Sequence, residues 1–178
     1  MEEVFLVEPS YEYREEYLDM ILEWTEAGER MIPFVLRYDP SDFDCFLAKL
    51  SELKVGTSLD HLTVNSSTFW LVRSDRKVLG AVNIRHELND LLLERGGHIG
   101  YGIRPSERKK GYAAMLLSLA LEQAQKLGIC NVLITCDKNN IASAKTIISN
   151  GGVLESEVII EGIQIQRYWI ENEGCEQE

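Results

Sequence analysis

The chain has 178 residues, long enough for one domain with a substantial hydrophobic core and short for two. Its net charge of −11 argues against non-specific nucleic-acid binding, and no apolar run approaches the roughly 18 residues that span a bilayer. A hydrophobic content of 45% and a charged content of 26% are typical of globular proteins. We therefore expect a single domain over residues 1–178, with neither a nucleic-acid nor a membrane partner.

The start of the chain and the cysteines bear on the compartment. The opening MEEVFLVEPSY is acidic and lacks the apolar run of a signal peptide. Neither cysteines nor histidines are spaced as metal ligands; they are Cys45, Cys130, Cys136, Cys175, His61, His86 and His98. The sequence thus predicts a cytoplasmic protein with reduced thiols and no metal.

The first part of the chain predicts one short strand and two amphipathic helices. The strand is Val4 to Val7. From Tyr11 to Ala27 the large apolar residues recur at helical spacing and share one face: Tyr13, Tyr17, Met20, Ile21 and Trp24. A second helix is predicted from Phe43 to Leu53, with Ser41 or Asp42 capping its first turn.

The rest of the chain alternates strands with helices. The predicted elements are a loop at 56–67, strands at 68–73 and 77–85, a loop or short turn at 89–97, a strand at 98–103, a helix at 111–127, a strand at 131–136, a helix at 141–150, and a hairpin of 153–161 with 163–171 turned at Gly162. The tail after Asn172 is acidic and expected to fray. This order predicts an α/β or α+β domain on a mixed sheet, in which the helix 111–127 crosses between two parallel strands.

Positive charge is concentrated just before the helix 111–127, in the stretch RPSERKKGYAA. A helix N-terminus exposes unpaired N–H groups and the positive end of the helix dipole, which together attract anions, above all phosphate. Gly111 lets the backbone approach a ligand closely, and Ala113 keeps the next turn small. Charge-assisted hydrogen bonds would come from Arg104, Arg108, Lys109 and Lys110. The arrangement suits a diphosphate.

Two familiar phosphate loops do not fit this stretch. The P-loop pattern is absent, and GxGxxG, which begins at Gly100 and Gly102, meets Pro105 where its third glycine belongs. The residues Arg108 to Ala113, RKKGYA, do fit R/Q-x-x-G-x-G/A, the acyl-CoA pyrophosphate signature of the GCN5-related N-acetyltransferase (GNAT) superfamily. Further on, Asn140 and Ser143 fit that family's N-x-x-[SA] helix, closed here by Gly151 and Gly152. The chain resembles this family well over about 68–171, and over 4–53 only by element order.

The resemblance implies a mostly antiparallel sheet with a splayed parallel strand pair, here 98–103 and 131–136, and helices on both faces. Gly100 and Gly102 would then mark a bulge or a close backbone approach. The implied cosubstrate is acetyl-CoA. Its contacts would be the backbone near Ile103 and Arg104, the loop Arg108, Lys109, Lys110, Gly111, Tyr112 and Ala113, and the side chains of Asn140 and Ser143. Asn140 also suits a plain helix N-cap.

The implied activity is direct transfer of acetyl from the thioester to a primary amine of a small molecule or protein. Many members use a tyrosine seven residues after the asparagine as general acid, but that position is Ile147 here. For the base, His98 has a suitable ordinary pKa although a structural histidine is the commoner case, and Tyr101 and Glu87 are weaker candidates. The resemblance is also compatible with a homodimer. Two other functions stay open: a non-catalytic acyl-CoA-binding module and, less favoured, a nucleotide-phosphate binder.

Overall fold

A computed structural model describes residues 3–56 and 64–172. The strands are β1 Val4–Val7, β2 Ser66–Arg73, β3 Val78–Arg85, β4 Ile99–Ile103, β5 Asn131–Asp137, β6 Val153–Ile160 and β7 Ile163–Glu171. The helices are α1 Arg14–Glu26, α2 Phe43–Val55, α3 Asp90–Glu94, α4 Tyr112–Lys126 and α5 Ile141–Ser149, with 3-10 turns at Tyr11–Tyr13, Phe34–Arg37 and Pro105–Glu107.

The predicted elements are confirmed to within a few residues, with local differences at their ends. Asp42 is the residue that caps α2, since its carboxylate accepts the Cys45 N–H at 3.0 Å. The predicted loop at 56–67 is too long at its end, because Ser66 and Ser67 already belong to β2; its residues 57–63 lie outside the described ranges, as does the acidic tail from 173 onward. The predicted turn at 89–97 contains the one-turn helix α3.

The strands form two antiparallel sheets that separate at one edge. The orders are β1-β2-β3-β4 and β5-β7-β6. Between the facing edge strands β4 and β5, the hydrogen bond from the His98 N–H to the Leu133 carbonyl, 2.8 Å, ties the two sheets together at one end. Beyond that point the strands form no ladder in the described ranges. The splayed strand pair of the predicted α+β fold is therefore confirmed.

Helices cover both faces of the four-stranded sheet. On one face α1 and α2 bury an aromatic cluster in which Tyr17 stacks on Trp70 with ring centroids 4.4 Å apart. On the other face α4 and α5 pack on β2 to β5 and on β7, with Leu116, Leu117 and Ile147 fully buried. The splayed edge of β4 lies between these two layers, so both layers contribute to whatever enters the gap.

Two further findings concern membranes and thiols. Within 3–56 and 64–172, no helix is long and apolar enough to cross a bilayer. Cys45 and Cys136 are free thiols, whereas Cys130 is disulfide-bonded. The prediction of reduced thiols is therefore wrong at Cys130, while Cys175 lies outside the described residues.

Candidate active site

A cavity of about 480 Å³ opens where β4, the start of α4 and the start of α5 meet. The sequence-predicted residues that line it are Tyr101, Ile103, Arg108, Lys109, Gly111, Ala113, Asn140 and Ser143. Other lining residues come chiefly from the segment after α1 and from the two helices: Trp24, Glu29, Arg30, Ile32, Gly102, Glu107, Ala114, Ala142 and Thr146. The fold thus brings most of the predicted site to one place.

β4 presents part of its backbone to this cavity. The Arg104 N–H donates to the Leu79 carbonyl of β3 at 2.9 Å. Because backbone groups alternate in direction along a strand, those of Tyr101 and Ile103 face away from β3, toward the gap. The Ile103 carbonyl fits this direction, since it accepts a hydrogen bond from Arg108 Nε at 3.0 Å. The predicted contribution of the Arg104 backbone is wrong, because its N–H is bonded to β3.

The register of β4 decides between the two predictions for its glycines. Gly100 and Gly102 pair regularly with Asn83 and Ala81, so there is no bulge between β3 and β4. A Cβ built at Gly102 would lie 2.3 Å from the Ile32 carbonyl oxygen. The close backbone approach is therefore confirmed at Gly102, and it brings the segment after α1 against the splayed strand.

The start of α4 fits an anion, as the sequence predicted. Gly111 has φ 87°, a left-handed conformation that favours glycine, and as the N-cap residue it offers the helix no side-chain cap. In the described part of the chain, no acceptor is found for the N–H groups of Ala113 and Ala114, and the first turn carries no acidic residue. These free donors at the positive end of a helix dipole can bind a diphosphate. Tyr112, predicted here too, buries its side chain in the core.

Arg104 is not part of this anion site. Its side chain is 4% exposed and points to α1, where Nη2 lies 2.6 Å from Asp19 and 2.5 Å from Glu23. Glu23 also accepts the Ser106 N–H at 2.6 Å. Although burial opposes it, these hydrogen bonds from Ser106 and Arg104 lower the pKa of Glu23. The predicted role of the Arg104 guanidinium at the helix mouth is wrong, and the group instead fastens α1 to the loop before α4.

The other three cations of the stretch, Arg108, Lys109 and Lys110, differ in their ion pairs with acidic side chains. Arg108 pairs with Glu29 at 2.6 Å and lies over the Trp24 ring, 5.5 Å from its centroid. Lys110 pairs with the buried Glu107 at 2.9 Å and does not line the cavity. Lys109 has no ion-pair partner in 3–56 and 64–172, and it lies two residues before Gly111. Lys109 is therefore the cation most available to a ligand.

On the α5 side, the polar side chains of Asn140, Ser143 and Tyr101 line the cavity. Asn140 caps α5, its side-chain oxygen accepting the Ser143 N–H at 3.1 Å, so the simple capping role is confirmed. The Ser143 hydroxyl lies 3.0 Å from the Tyr101 hydroxyl. Burial raises the pKa of Tyr101 to about 12 and that of the nearby Cys136 thiol to about 11. Both groups are thus protonated at neutral pH.

His98 has a structural role. It is buried, and its Nδ1 accepts the Leu133 N–H at 3.0 Å, which places the proton of the neutral ring on Nε2. Burial, with a smaller effect of Arg85, lowers its pKa to about 4. His98 does not line the cavity, and neither does the exposed Glu87. The prediction of His98 as the base is therefore wrong: the ring holds the two sheets together.

Sequence reasoning missed the wall formed by the segment after α1. Trp24 was assigned only to the buried face of its helix, and no motif marks Glu29, Arg30 or Ile32. Their proximity to β4 depends on the missing side chain of Gly102, which the sequence had indicated as a place of close approach. That glycine was the one available signal.

A splayed strand beside a helix start with free N–H groups, with Lys109 next to it, is the arrangement that the resemblance implied for an acetyl-CoA-dependent N-acetyltransferase. A sequence profile described as acetyltransferase (GNAT) domain matches residues 11–153. The chain belongs to this family. No curated protein sequence is significantly similar to it.

Solved structures with the same fold include several acetyltransferases. A ribosomal-protein-S5-alanine acetyltransferase from Vibrio fischeri superimposes with a TM-score of 0.66 at 16% identity, over 98% of this chain and 94% of that one. A spermidine N-acetyltransferase from Vibrio cholerae, in complex with CoA and spermine, gives 0.62 at 16% identity over 95% of both chains. The putative acetyltransferase yncA from Salmonella typhimurium, with acetyl-CoA, gives 0.62 at 13%, over 96% and 95%. At these identities the similarity establishes the fold.

Proposed function

We propose that this protein binds acetyl-CoA in the cavity and transfers the acetyl group directly to a primary amine of a small molecule or of a protein. The observation that carries the proposal is the set of free donors at the start of α4, the N–H groups of Ala113 and Ala114, beside the unpaired Lys109. They would hold the pyrophosphate. The gap-facing backbone of Ile103 and the amide of Asn140 would hold the pantetheine arm.

Arg108 must move for this binding to occur. Its Nε donates a hydrogen bond to the Ile103 carbonyl, an acceptor that the pantetheine arm would use, and its Nη1 pairs with Glu29. Both contacts are partly exposed, and such ion pairs contribute only about 0–1 kcal/mol. The pyrophosphate would offer Arg108 a stronger partner, so binding exchanges one carboxylate for two phosphates.

Direct transfer of the acetyl group to the amine is favoured over a covalent acetyl-enzyme intermediate, because the nearby Cys136 thiol is unreactive. Cys136 is buried with a raised pKa, and the thiolate is the nucleophilic form of cysteine. The amine would attack the thioester itself, after losing the proton it carries with an ordinary pKa of about 10.4. The gap-facing N–H of Tyr101 would polarise the thioester carbonyl, which is the electrostatic contribution expected at a developing oxyanion.

The class of acceptor can be tested directly with small-molecule amines and with a peptide amine. Spermidine and the alanine of a ribosomal protein are named as acceptors of the Vibrio enzymes with this fold. An assay panel would therefore contain a polyamine, simple diamines and a peptide with N-terminal alanine, and would measure release of free CoA from acetyl-CoA. Release with at least one amine is expected. A chain that is stabilised by acetyl-CoA but releases CoA with none of them is a non-catalytic acyl-CoA-binding module instead.

The phosphate site is tested with Lys109→Glu and a matched control, Lys126→Glu. Both residues are exposed lysines, at opposite ends of α4. Charge-assisted hydrogen bonds contribute about 1.5–3 kcal/mol, so Lys109→Glu should raise the Kd of acetyl-CoA by about 10- to 100-fold in calorimetry. The control should leave it nearly unchanged. Equal effects of the two variants would mean that the pyrophosphate binds elsewhere. Arg108 is a poorer probe, because its removal also frees the Ile103 carbonyl.

A further inference from the structure

The usual proton donor for the leaving sulfur is missing from α5. Ile147 stands where many family members have a tyrosine, and its side chain is fully buried in the hydrophobic core. Among the described residues that line the cavity, Tyr101 is the only one with a phenol. A donor for the sulfur would thus have to come from β4 rather than from α5.

Tyr101 is well placed for that purpose. Its side chain lies on the face of β4 that packs against α4 and α5, and its hydroxyl is 3.0 Å from the Ser143 hydroxyl. Along the strand it lies two residues, about 7 Å, beyond Ile103 and away from the start of α4. An arm that leaves the phosphate site and follows β4 therefore reaches Tyr101 with its thioester end.

We propose that Tyr101 is the general acid of the reaction, donating the proton of its phenol to the coenzyme A sulfur, and that Ser143 orients this phenol. The inference rests on the proposed function. It assigns two roles to one residue, since the backbone N–H of Tyr101 faces the same gap and would contact the carbonyl oxygen of the same thioester.

The amine nitrogen forms a bond to the acetyl carbon, the carbon–sulfur bond breaks, and its electron pair goes to the sulfur. Tyr101 supplies the proton that makes this sulfur a thiol. The attacking nitrogen loses one proton to water, and water returns a proton to the Tyr101 oxygen, beside the hydroxyls of Ser143 and Thr146. The products are an amide and free CoA.

Tyr101 carries its proton at neutral pH, which is the form that a general acid needs. Because burial raises the pKa of Tyr101 to about 12, Tyr101 lacks the deprotonated form that a base needs, and the prediction of Tyr101 as the base is wrong. A free thiol has a pKa of about 8.5, which makes its thiolate a weak proton acceptor in water. Burial raises the pKa of the neighbouring Cys136 thiol to about 11. If the coenzyme A sulfur leaves in a similarly desolvated setting, its thiolate is a better proton acceptor than in water and closer in pKa to Tyr101.

The decisive experiment changes the basicity of the leaving group. Tyr101→Phe is compared with wild type in single turnovers, so that product release does not mask chemistry, with acetyl-CoA and with the acetyl selenoester of seleno-CoA as donors. A selenolate needs a proton less than a thiolate does. With acetyl-CoA the rate should fall by about 10- to 100-fold, at or below the low end of the range for general acids, because a thiolate is a tolerable leaving group. With the selenoester the fall should be several-fold smaller.

Three controls separate this role from structural ones. The Kd of acetyl-CoA should be the same for Tyr101→Phe and wild type. Tyr168→Phe removes a buried phenol outside the cavity, which donates to Gln166 at 2.9 Å, and should leave the rate unchanged. Ser143→Ala should lower the rate less than Tyr101→Phe and show the same dependence on the donor.

The possible failures are distinguishable. An active wild type whose rate is unaffected by Tyr101→Phe, or is lowered equally with both donors, overturns the acid role and leaves the proposed function intact. A folded wild type that releases no CoA with any amine overturns the proposed function, and this inference with it.

Discussion

Replacing Gly102 by alanine tests the contact that joins the segment after α1 to the splayed strand. A Cβ at this position would lie 2.3 Å from the Ile32 carbonyl oxygen and 2.7 Å from a ring carbon of Trp24. Gly100 provides a matched control, because it lies on the same strand and the same face. A Cβ there would meet nothing closer than Pro33 Cβ at 3.5 Å, an ordinary van der Waals contact.

The two substitutions are expected to change the free energy of unfolding in opposite directions. Forcing extra atoms into a packed site costs about 1–3 kcal/mol, and the obstacle at Gly102 is backbone, which cannot move as a side-chain end can. Replacing a strand glycine by alanine otherwise gains about 0.5–1 kcal/mol. Gly102→Ala should therefore be destabilised by a net amount of up to about 2.5 kcal/mol, which for a domain of this size lowers Tm by up to about 10 °C. Gly100→Ala should melt at or slightly above the wild-type temperature.

Thermal unfolding of both variants, followed by circular dichroism, measures the contrast, and calorimetry with acetyl-CoA adds a second readout. Ile32 and Trp24 line the cavity, so Gly102→Ala should also bind acetyl-CoA more weakly than Gly100→Ala does. If the two variants melt together, or Gly102→Ala melts higher, the segment after α1 does not abut β4 as described.

Two further variants test the structural roles of His98 and Arg104, which take no part in the proposed reaction. The pKa of His98 is lowered in the folded state, so the unfolded chain binds its proton first, and stability should be lost as pH falls from about 6.5 to about 4. His98→Gln keeps an acceptor for the Leu133 N–H without titrating, so its urea-unfolding free energy should fall less over that window; an identical pH dependence would contradict the assignment. Arg104→Met should lower the free energy of unfolding by about 1–3 kcal/mol. This is below the roughly 3–5 kcal/mol for breaking a fully buried pair, because Asp19 is exposed. The control Arg76→Met, which removes an exposed pair with Glu12, should lower it by less than about 1 kcal/mol. Equal costs would show that the Arg104 contacts with α1 contribute little.

The elements of the fold and the phosphate loop were readable from the sequence because they depend on neighbours a few residues away. A glycine opening an apolar helical run fixes where α4 begins, and the same local geometry leaves the N–H groups of Ala113 and Ala114 free. Hydrophobic periodicity likewise identified the buried face of α1, with Tyr17, Met20 and Trp24 in the core. The hexapeptide at 108–113 therefore indicates the proposed anion site from the sequence alone.

The roles of the charged and titratable side chains were decided only by tertiary structure. Arg104 stands among the phosphate-loop cations in sequence, yet its partners Asp19 and Glu23 are 85 and 81 positions away. His98 looks like a base until burial and the Leu133 N–H fix it as a neutral structural ring. The contact between Tyr101 and Ser143 spans 42 positions. Burial and charge environment arise from residues that meet only when the chain is packed, and no local pattern encodes them.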